Sequence, residues 1–368
     1  MEPFDLPPYP YDRLNEFRAL ALKRHGAAID MSVGTPHDAP PQLVVAALSA
    51  SGAERGYPPS IGTAEFRTAA STWLRTQFGV EVDPMGLGAT MGLKEFVVGL
   101  PHWLRLRDPS KDTVLYPAVA YPSYAMGAQL AHGRAVPIPV DDQWRLRLDA
   151  IAPEDVERAS VLWVSSPGNP TGALEDLNAL AEWGRHNDVL IASDECYIEF
   201  TWDGPPRTIL ESGLDGVLAV HSLSKRSNLA GVRAGFYAGD PDIVHWCQEI
   251  RKHTGAMVAG PNQYAAALAF GDQQHVAKQR ETYQRRMMAM IEVLEHLDVS
   301  AQMPQGGFYL WAEAPNGDAW ALAERLATEV GLIVSPGEFY GDASEHYVRV
   351  AVVQSDENIA ELLARAQT

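Results

Sequence analysis

Five short apolar runs constrain the fold of this 368-residue chain more than any other feature. They are Thr113-Val114-Leu115-Tyr116, Val161-Leu162-Trp163-Val164, Val189-Leu190-Ile191-Ala192, Val217-Leu218-Ala219-Val220 and Ala234-Gly235-Phe236-Tyr237. None shows the apolar–polar alternation of a half-exposed strand, and amphipathic stretches separate them. Strands covered by helices on both faces have this pattern, so an α/β layout with a mainly parallel sheet is expected. Ahead of the runs, Tyr11 to Gly26, Gln42 to Ala53 and Gly62 to Phe78 read as helices, with stops at Gly26 and Gly79. A loop rich in Gly and Pro, Gly34 to Pro41, joins the first two. After Pro261 a long helical region reaches Leu297, and the strands and helix beyond it read as a second, smaller α+β domain. A chain of this length with 46% hydrophobic residues can fill two cores.

Charge narrows the partners. The chain carries 29 Lys+Arg against 47 Asp+Glu, a formal net charge of −18, and no local basic patch offsets it. Nucleic acid and anionic membrane surfaces are therefore not expected partners. No apolar run reaches the roughly 18–20 residues of a membrane span. The segment Met1 to Pro10 has neither the basic nor the apolar region of a secretion signal. Cys196 and Cys247 are too few for a disulfide framework, and His37, His221 and His253 lack metal-ligand spacing. A cytoplasmic protein without a metal is the expectation.

Ligands of parallel sheets bind beyond the carboxyl ends of the strands, so the polar residues just after each run are the first candidates. Ser165 to Gly172, including Asn169-Pro170-Thr171-Gly172, follows one run, and Asp194-Glu195-Cys196-Tyr197 follows another. A third is followed by Ser222-Leu223-Ser224-Lys225 and then Gly231-Val232-Arg233-Ala234-Gly235. Singly, each has an ordinary explanation: a turn, a cap, a solvated lysine. Together they meet four demands of pyridoxal 5'-phosphate. That cofactor needs an amine for an imine, a carboxylate for its ring nitrogen, donors to its phenolic oxygen and donors to its phosphate.

The order Asn-Pro-Thr-Gly, Asp-x-x-Tyr, Ser-x-Ser-Lys, Gly-x-Arg-x-Gly resembles the class I/II aminotransferases of pyridoxal-phosphate fold type I. Lys225 and Arg233 stand eight positions apart, as in that family. The resemblance implies a large domain, 45–283, with a mainly parallel seven-stranded sheet. It also implies a smaller α+β domain made of 1–44 and 284–368. By the same resemblance Lys225 holds the cofactor as a Schiff base and moves the substrate proton, while Asp194 keeps the ring nitrogen protonated. Tyr197 and Asn169 bond the phenolic oxygen and lower the imine pKa. Gly92, Leu93 and Lys94 present backbone N–H groups to the phosphate at a helix start, and Ser222, Ser224 and Arg233 add side chains. Tyr121 stacks on the ring, with Val119 as its rival. Tyr57 reaches the neighbouring subunit's phosphate, which implies a homodimer. Arg349, on the alternating segment Tyr347 to Val352, binds the substrate α-carboxylate with help from Gly34 and Asn169. The stretches Gly306 to Trp311 and Ser335 to Gly341 count as scaffold, and Cys196 as filler.

The implied substrates are amino acids and 2-oxo acids, with glutamate and 2-oxoglutarate as one pair. Thr254 to Gln263 contains no cation where aspartate-specific relatives hold an arginine, which disfavours aspartate. Length and local segments, among them Ser222 to Gly231, look like the actinobacterial N-succinyldiaminopimelate aminotransferases, implying N-succinyl-2-amino-6-oxopimelate as acceptor. A general aromatic- or alanine-type aminotransferase and a carbon–sulfur β-lyase on the same fold remain open alternatives. An aminotransferase-like domain of a transcription regulator needs a DNA-binding module for which this chain has no room.

Overall fold

The computed structural model describes residues 10–50 and 52–368; the start of the Pro-rich segment and Ser51 lie outside the described residues. In chain order the strands are β1 (Ile29–Asp30), β2 (Leu87–Thr90), β3 (Thr113–Pro117), β4 (Arg134–Ile138), β5 (Ala159–Ser165) and β6 (Leu190–Asp194). They continue with β7 (Val217–Ser222), β8 (Gly235–Gly239), β9 (Tyr309–Glu313), β10 (Leu332–Ile333), β11 (Ser335–Pro336) and β12 (Tyr347–Ala351). The central sheet has seven strands in the order β2-β8-β7-β6-β5-β3-β4. Only β8 runs against the rest, so the sheet is mainly parallel, as expected.

The five apolar runs are strands β3, β5, β6, β7 and β8. Burial explains their composition: β6, β7 and β8 are buried at every position. One apolar cluster, with Leu162, Ile191, Ala219 and Phe236, fills one side of the sheet, and a second, with Trp163, Ala192, Leu218 and Tyr237, fills the other. Alternate residues of each strand thus enter different clusters.

Beyond it, β12 lies between β11 and β9 in an antiparallel sheet of three strands. The N-terminal segment joins this region through the β1–β10 parallel pair and an Ala351 N–H to Met31 carbonyl bond of 2.8 Å. Val350, Leu310, Leu294 and Leu326 share the core beneath.

Five expectations need correction. The first helix is split into a 3-10 turn, Pro10–Leu14, and an α-helix, Asn15–His25, ended by Gly26 in the left-handed region at φ 72°. The second ends at Ala50 rather than Ala53. The third starts at Ala64, where Thr63 accepts the Phe66 N–H; Gly62 lies outside it at φ 102°. The long helical region is two helices, Gly260–Gly271 and Gln274–His296, because Asp272 accepts the Gln274 N–H at 2.8 Å and starts a new helix. The strand carrying Arg349 was expected half-buried; from Val348 to Ala351 it is buried throughout.

Candidate active site

Because β2, β5, β6 and β7 point the same way, their carboxyl ends open on one edge of the sheet, and the loop before β8 returns to that edge. Gly92, Asn169, Asp194, Lys225 and Arg233 all come from these ends, far apart in sequence.

Lys225 sits in a four-residue helix, Leu223–Arg226, whose N-cap Ser222 accepts the Ser224 N–H at 3.1 Å. Arg226 pins that helix from behind: buried, it donates to Glu199 at 2.9 Å, to the Ala269 carbonyl at 2.8 Å and to Gln273 at 2.7 Å. Lys225 Nζ donates to the Gly34 carbonyl. Burial depresses its pKa to about 8, so roughly a tenth of the amine is unprotonated at pH 7, far more than for an ordinary lysine. Asp194 ends β6 and is buried; Cys196 N–H and Tyr124 Oη each donate to it at 3.2 Å. Burial pushes its carboxyl upward, partly offset by those bonds and by the Lys225 charge. A cationic group placed against this carboxylate would be strongly held.

Gly92 is the N-cap of the helix Leu93–Arg107, at φ 73°. Arg233, exposed and itself left-handed at φ 54°, donates to the Met91 carbonyl at 3.2 Å. A β-carbon on Gly92 would meet Arg233 Nη2 at 2.0 Å. The glycine therefore lets a guanidinium and a helix N-terminus face the same small volume, a cradle for a dianion. The side chain of Lys94 is exposed, with Nζ 5.9 Å from the Tyr121 ring. Tyr121 packs edge-on against Tyr124, itself bonded to Asp194, whereas Val119 is buried in the cluster of Phe339 and Tyr340.

Arg349 is buried in the middle of β12 at 3% exposure. It donates to Asn169 Oδ1 at 2.9 Å and to the Ser32 carbonyl at 2.5 Å, while its Nε has no partner among the described residues. No carboxylate pairs with it among the described residues. Its guanidinium lies over the rings of Tyr309, at 4.3 Å, and Tyr340, at 4.8 Å. A desolvated cation held by neutral oxygens and aromatic faces is a receptor for an anion.

Two residues treated as scaffold therefore belong to the site. Tyr309 Oη lies 2.7 Å from Tyr197 Oη, and Tyr340 Oη lies 3.1 Å from Tyr11 Oη. The reading of Gly306 to Trp311 and Ser335 to Gly341 as packing alone is corrected, because the three-stranded sheet carries these tyrosines to the arginine. No spacing signal in the sequence marks them. Tyr57 stands apart, 96% exposed. Among the described residues no cluster of three potential metal ligands occurs, and no helix is long and apolar enough to cross a membrane.

The residues fit pyridoxal phosphate: an amine of lowered pKa, a buried carboxylate, a glycine-lined cradle filled by a guanidinium's edge, and an anion receptor beside them. Comparison with known proteins agrees. The pattern of the family described as aminotransferase class I and II matches residues 27–365. The 4-dedimethylamino-4-oxo-anhydrotetracycline transaminase OxyQ of Streptomyces rimosus is 38% identical over 98% of this chain and 99% of its own. The LL-diaminopimelate aminotransferase of Aquifex aeolicus is 32% identical over 98% of this chain and 96% of its own. The substrate-bound BacF structure from Bacillus subtilis superposes with a TM-score of 0.90 at 25% identity, covering 100% of this chain and 98% of that one. With sheet, site and sequence in agreement, the chain belongs to the class I and II aminotransferases and is a pyridoxal-phosphate-dependent transferase of fold type I.

Proposed function

We propose that this chain transfers an amino group from glutamate to N-succinyl-2-amino-6-oxopimelate, acting as an N-succinyldiaminopimelate aminotransferase in the route to lysine. The observation that carries the α-amino-acid part of the reading is Arg349, buried without a carboxylate partner among the described residues and bonded to Asn169. Similarity to enzymes named LL-diaminopimelate aminotransferase supports an acceptor of diaminopimelate type. The absence of a cation from Thr254 to Gln263 argues against aspartate.

Bound pyridoxal phosphate supplies a sink for the electron pair left on the substrate α-carbon. The chain's residues do the rest. Lys225 would hold the cofactor through Nζ and, once the substrate amine has taken its place, the same nitrogen would accept and pass on the α-proton. A pKa of about 8 leaves it able to act as a base at neutral pH. Asp194 keeps the ring nitrogen protonated, and burial makes that charge pairing stronger than in water. Gly92, Leu93 and Lys94 offer backbone N–H groups to the phosphate, with Ser222, Ser224 and Arg233 around it. Tyr197 and Asn169 donate to the phenolic oxygen, and Tyr121 covers the ring. Arg349 grips the α-carboxylate and thereby sets the α-hydrogen toward Lys225. Tyr57, exposed on one chain, completes the phosphate site of a second copy in a homodimer. The chain divides at 44/45 and 283/284, the first inside the helix Gln42–Ala50 and the second inside the helix Gln274–His296.

A second acceptor class has an observation in its favour. Tyr309 and Tyr340 turn aromatic faces to the arginine, Tyr11 is bonded to Tyr340 through their hydroxyls, and the relative OxyQ is named for a tetracycline-type substrate. A half-reaction screen decides. Purified enzyme is mixed with single amino donors while the visible cofactor band is followed, and then with keto acceptors that restore it. Bleaching by glutamate and recovery with N-succinyl-2-amino-6-oxopimelate support the reading. Recovery only with aromatic, alanine-type or polycyclic ketones replaces the acceptor; release of pyruvate and ammonia from cystathionine makes the protein a β-lyase.

A further inference from the structure

We infer that Tyr309 is a positioning residue whose hydroxyl donates its proton to Tyr197, so that Tyr197 is held as a donor toward the phenolic oxygen of the cofactor. This rests on the reading of Tyr197 given above and extends it by one residue. The two hydroxyl oxygens lie 2.7 Å apart in a buried setting, an ordinary distance for one O–H donating to another. Each hydroxyl has a single proton. If Tyr197 spends its proton on the cofactor oxygen, the short contact to Tyr309 survives only with Tyr309 as donor.

Three features of the surroundings bear on this arrangement. First, burial holds both phenols above their usual range, so both protons are retained at working pH. Second, the Arg349 guanidinium lies 4.3 Å from the centre of the Tyr309 ring, and its charge offsets the burial of that phenol more than that of Tyr197; the more acidic of two hydroxyls is the better donor. Third, room is kept for this oxygen. A β-carbon on Gly34 would meet Tyr309 Oη at 2.1 Å, so the N-terminal loop passes the phenol only because residue 34 is glycine. The Tyr309 ring is also fixed edge-on to Tyr197 at 5.3 Å. Hydrogen bonds in such a chain strengthen one another, so the outer donor makes the inner one a stronger acid toward the cofactor. A stronger donor draws charge from the phenolic oxygen, and the nitrogen joining Lys225 to the cofactor then releases its proton at lower pH.

The test is a pH titration of the visible chromophore of the holoenzyme, in wild type, Tyr309→Phe, Tyr197→Phe and the double variant. Tyr309→Phe raises the midpoint by about half a pH unit, the effect of losing a fraction of one hydrogen bond. Tyr197→Phe raises it further, and the double variant matches Tyr197→Phe alone, since Tyr309 acts only through Tyr197. A wild-type midpoint in Tyr309→Phe, or full additivity in the double variant, overturns the inference. Should Tyr309→Phe fail to fold or to keep its cofactor, Gly34→Ala displaces the hydroxyl while leaving both tyrosines in place. The same upward shift is expected there, and an unmoved midpoint refutes the inference. A wild-type protein that forms no visible band with pyridoxal phosphate instead brings down the reading of the site itself, and this inference with it.

Discussion

Replacing Gly92 by alanine tests the phosphate cradle in isolation, because the structure separates the two costs of the added methyl. Gly92 lies at φ 73° and ψ 173°, a region almost restricted to glycine, where a β-carbon costs about 1–3 kcal/mol of backbone strain. The methyl would also stand 2.0 Å from Arg233 Nη2 and 2.5 Å from its Cζ. Ordinary contact between heavy atoms is about 3.5 Å, so the guanidinium must withdraw by roughly 1.5 Å and lose its grip on a phosphate. Charge-assisted hydrogen bonds contribute about 1.5–3 kcal/mol, which raises the Kd for pyridoxal phosphate by about 10- to 100-fold. Gly213→Ala is the matched control. That glycine lies at φ 94° and ψ 164°, the region of Gly92 at ψ 173°, and its added β-carbon would meet only Arg185 Nη2 at 3.5 Å, an ordinary contact, so it incurs the strain alone. Titration of both apoproteins with pyridoxal phosphate, followed by the visible band, gives the Kd, and thermal melts give the strain. A wild-type Kd in Gly92→Ala, with a loss in Tm no larger than that of Gly213→Ala, would refute the placement of the phosphate.

The remaining expectations are brief. Lys225 has a pKa depressed to about 8 by burial, so the rate at which apoprotein captures pyridoxal phosphate should climb about tenfold per pH unit below that value and level off above it; a rate independent of pH contradicts the lowered pKa. For Arg349→Gln, kcat/KM for amino donors should fall about 100-fold or more while the Kd for the cofactor is kept, and a loss confined to cofactor binding would move the carboxylate site elsewhere. Glu195 is buried, accepts the Ile209 N–H at 2.8 Å, and has its carboxyl raised from 4.5 to about 8 by burial. Its raised folded-state pKa contributes stability that is fully present below pH 4.5 and lost as pH rises through about 8. Glu195→Gln should therefore flatten stability over that window, which chemical denaturation at several pH values measures; parallel curves for the two proteins would show the group does not titrate there.

Much of the fold is legible because burial on both faces leaves a plain mark in composition: Val217-Leu218-Ala219-Val220 can be little else than a covered strand. Strands β2 and β4 leave no such mark. In β2, Leu87-Gly88-Ala89-Thr90, the glycine is required by packing, since its missing β-carbon would lie 2.4 Å from the Tyr237 ring. Strand β4 is an edge with Pro137 in it, where a missing N–H is tolerated and exposure dilutes the apolar pattern. In the site, residues hung on strand ends are legible because they follow a recognisable run. Tyr309, Tyr340 and the Ser32 carbonyl are not, because they meet Tyr197, Tyr11 and Arg349 only through the pairing of β12 with its neighbours and of β1 with β10, contacts that span 112 to 329 positions of chain.

That long reach has an energetic meaning. Arg349 belongs to β12, Asn169 to the loop after β5 and Ser32 to the segment after β1, so the carboxylate receptor exists only where three parts of the chain meet. A guanidinium taken out of water without an opposing charge costs several kcal/mol. Two neutral acceptors and two tyrosine faces offset only part of that, and its Nε stays unpaired. A carboxylate bound at Arg349 is expected to supply the opposing charge at this junction and so to fasten the N-terminal segment, the central sheet and the C-terminal sheet together. An α-amino acid should therefore raise Tm more than the amine that lacks its carboxylate, and equal melting temperatures would contradict the proposed role of Arg349.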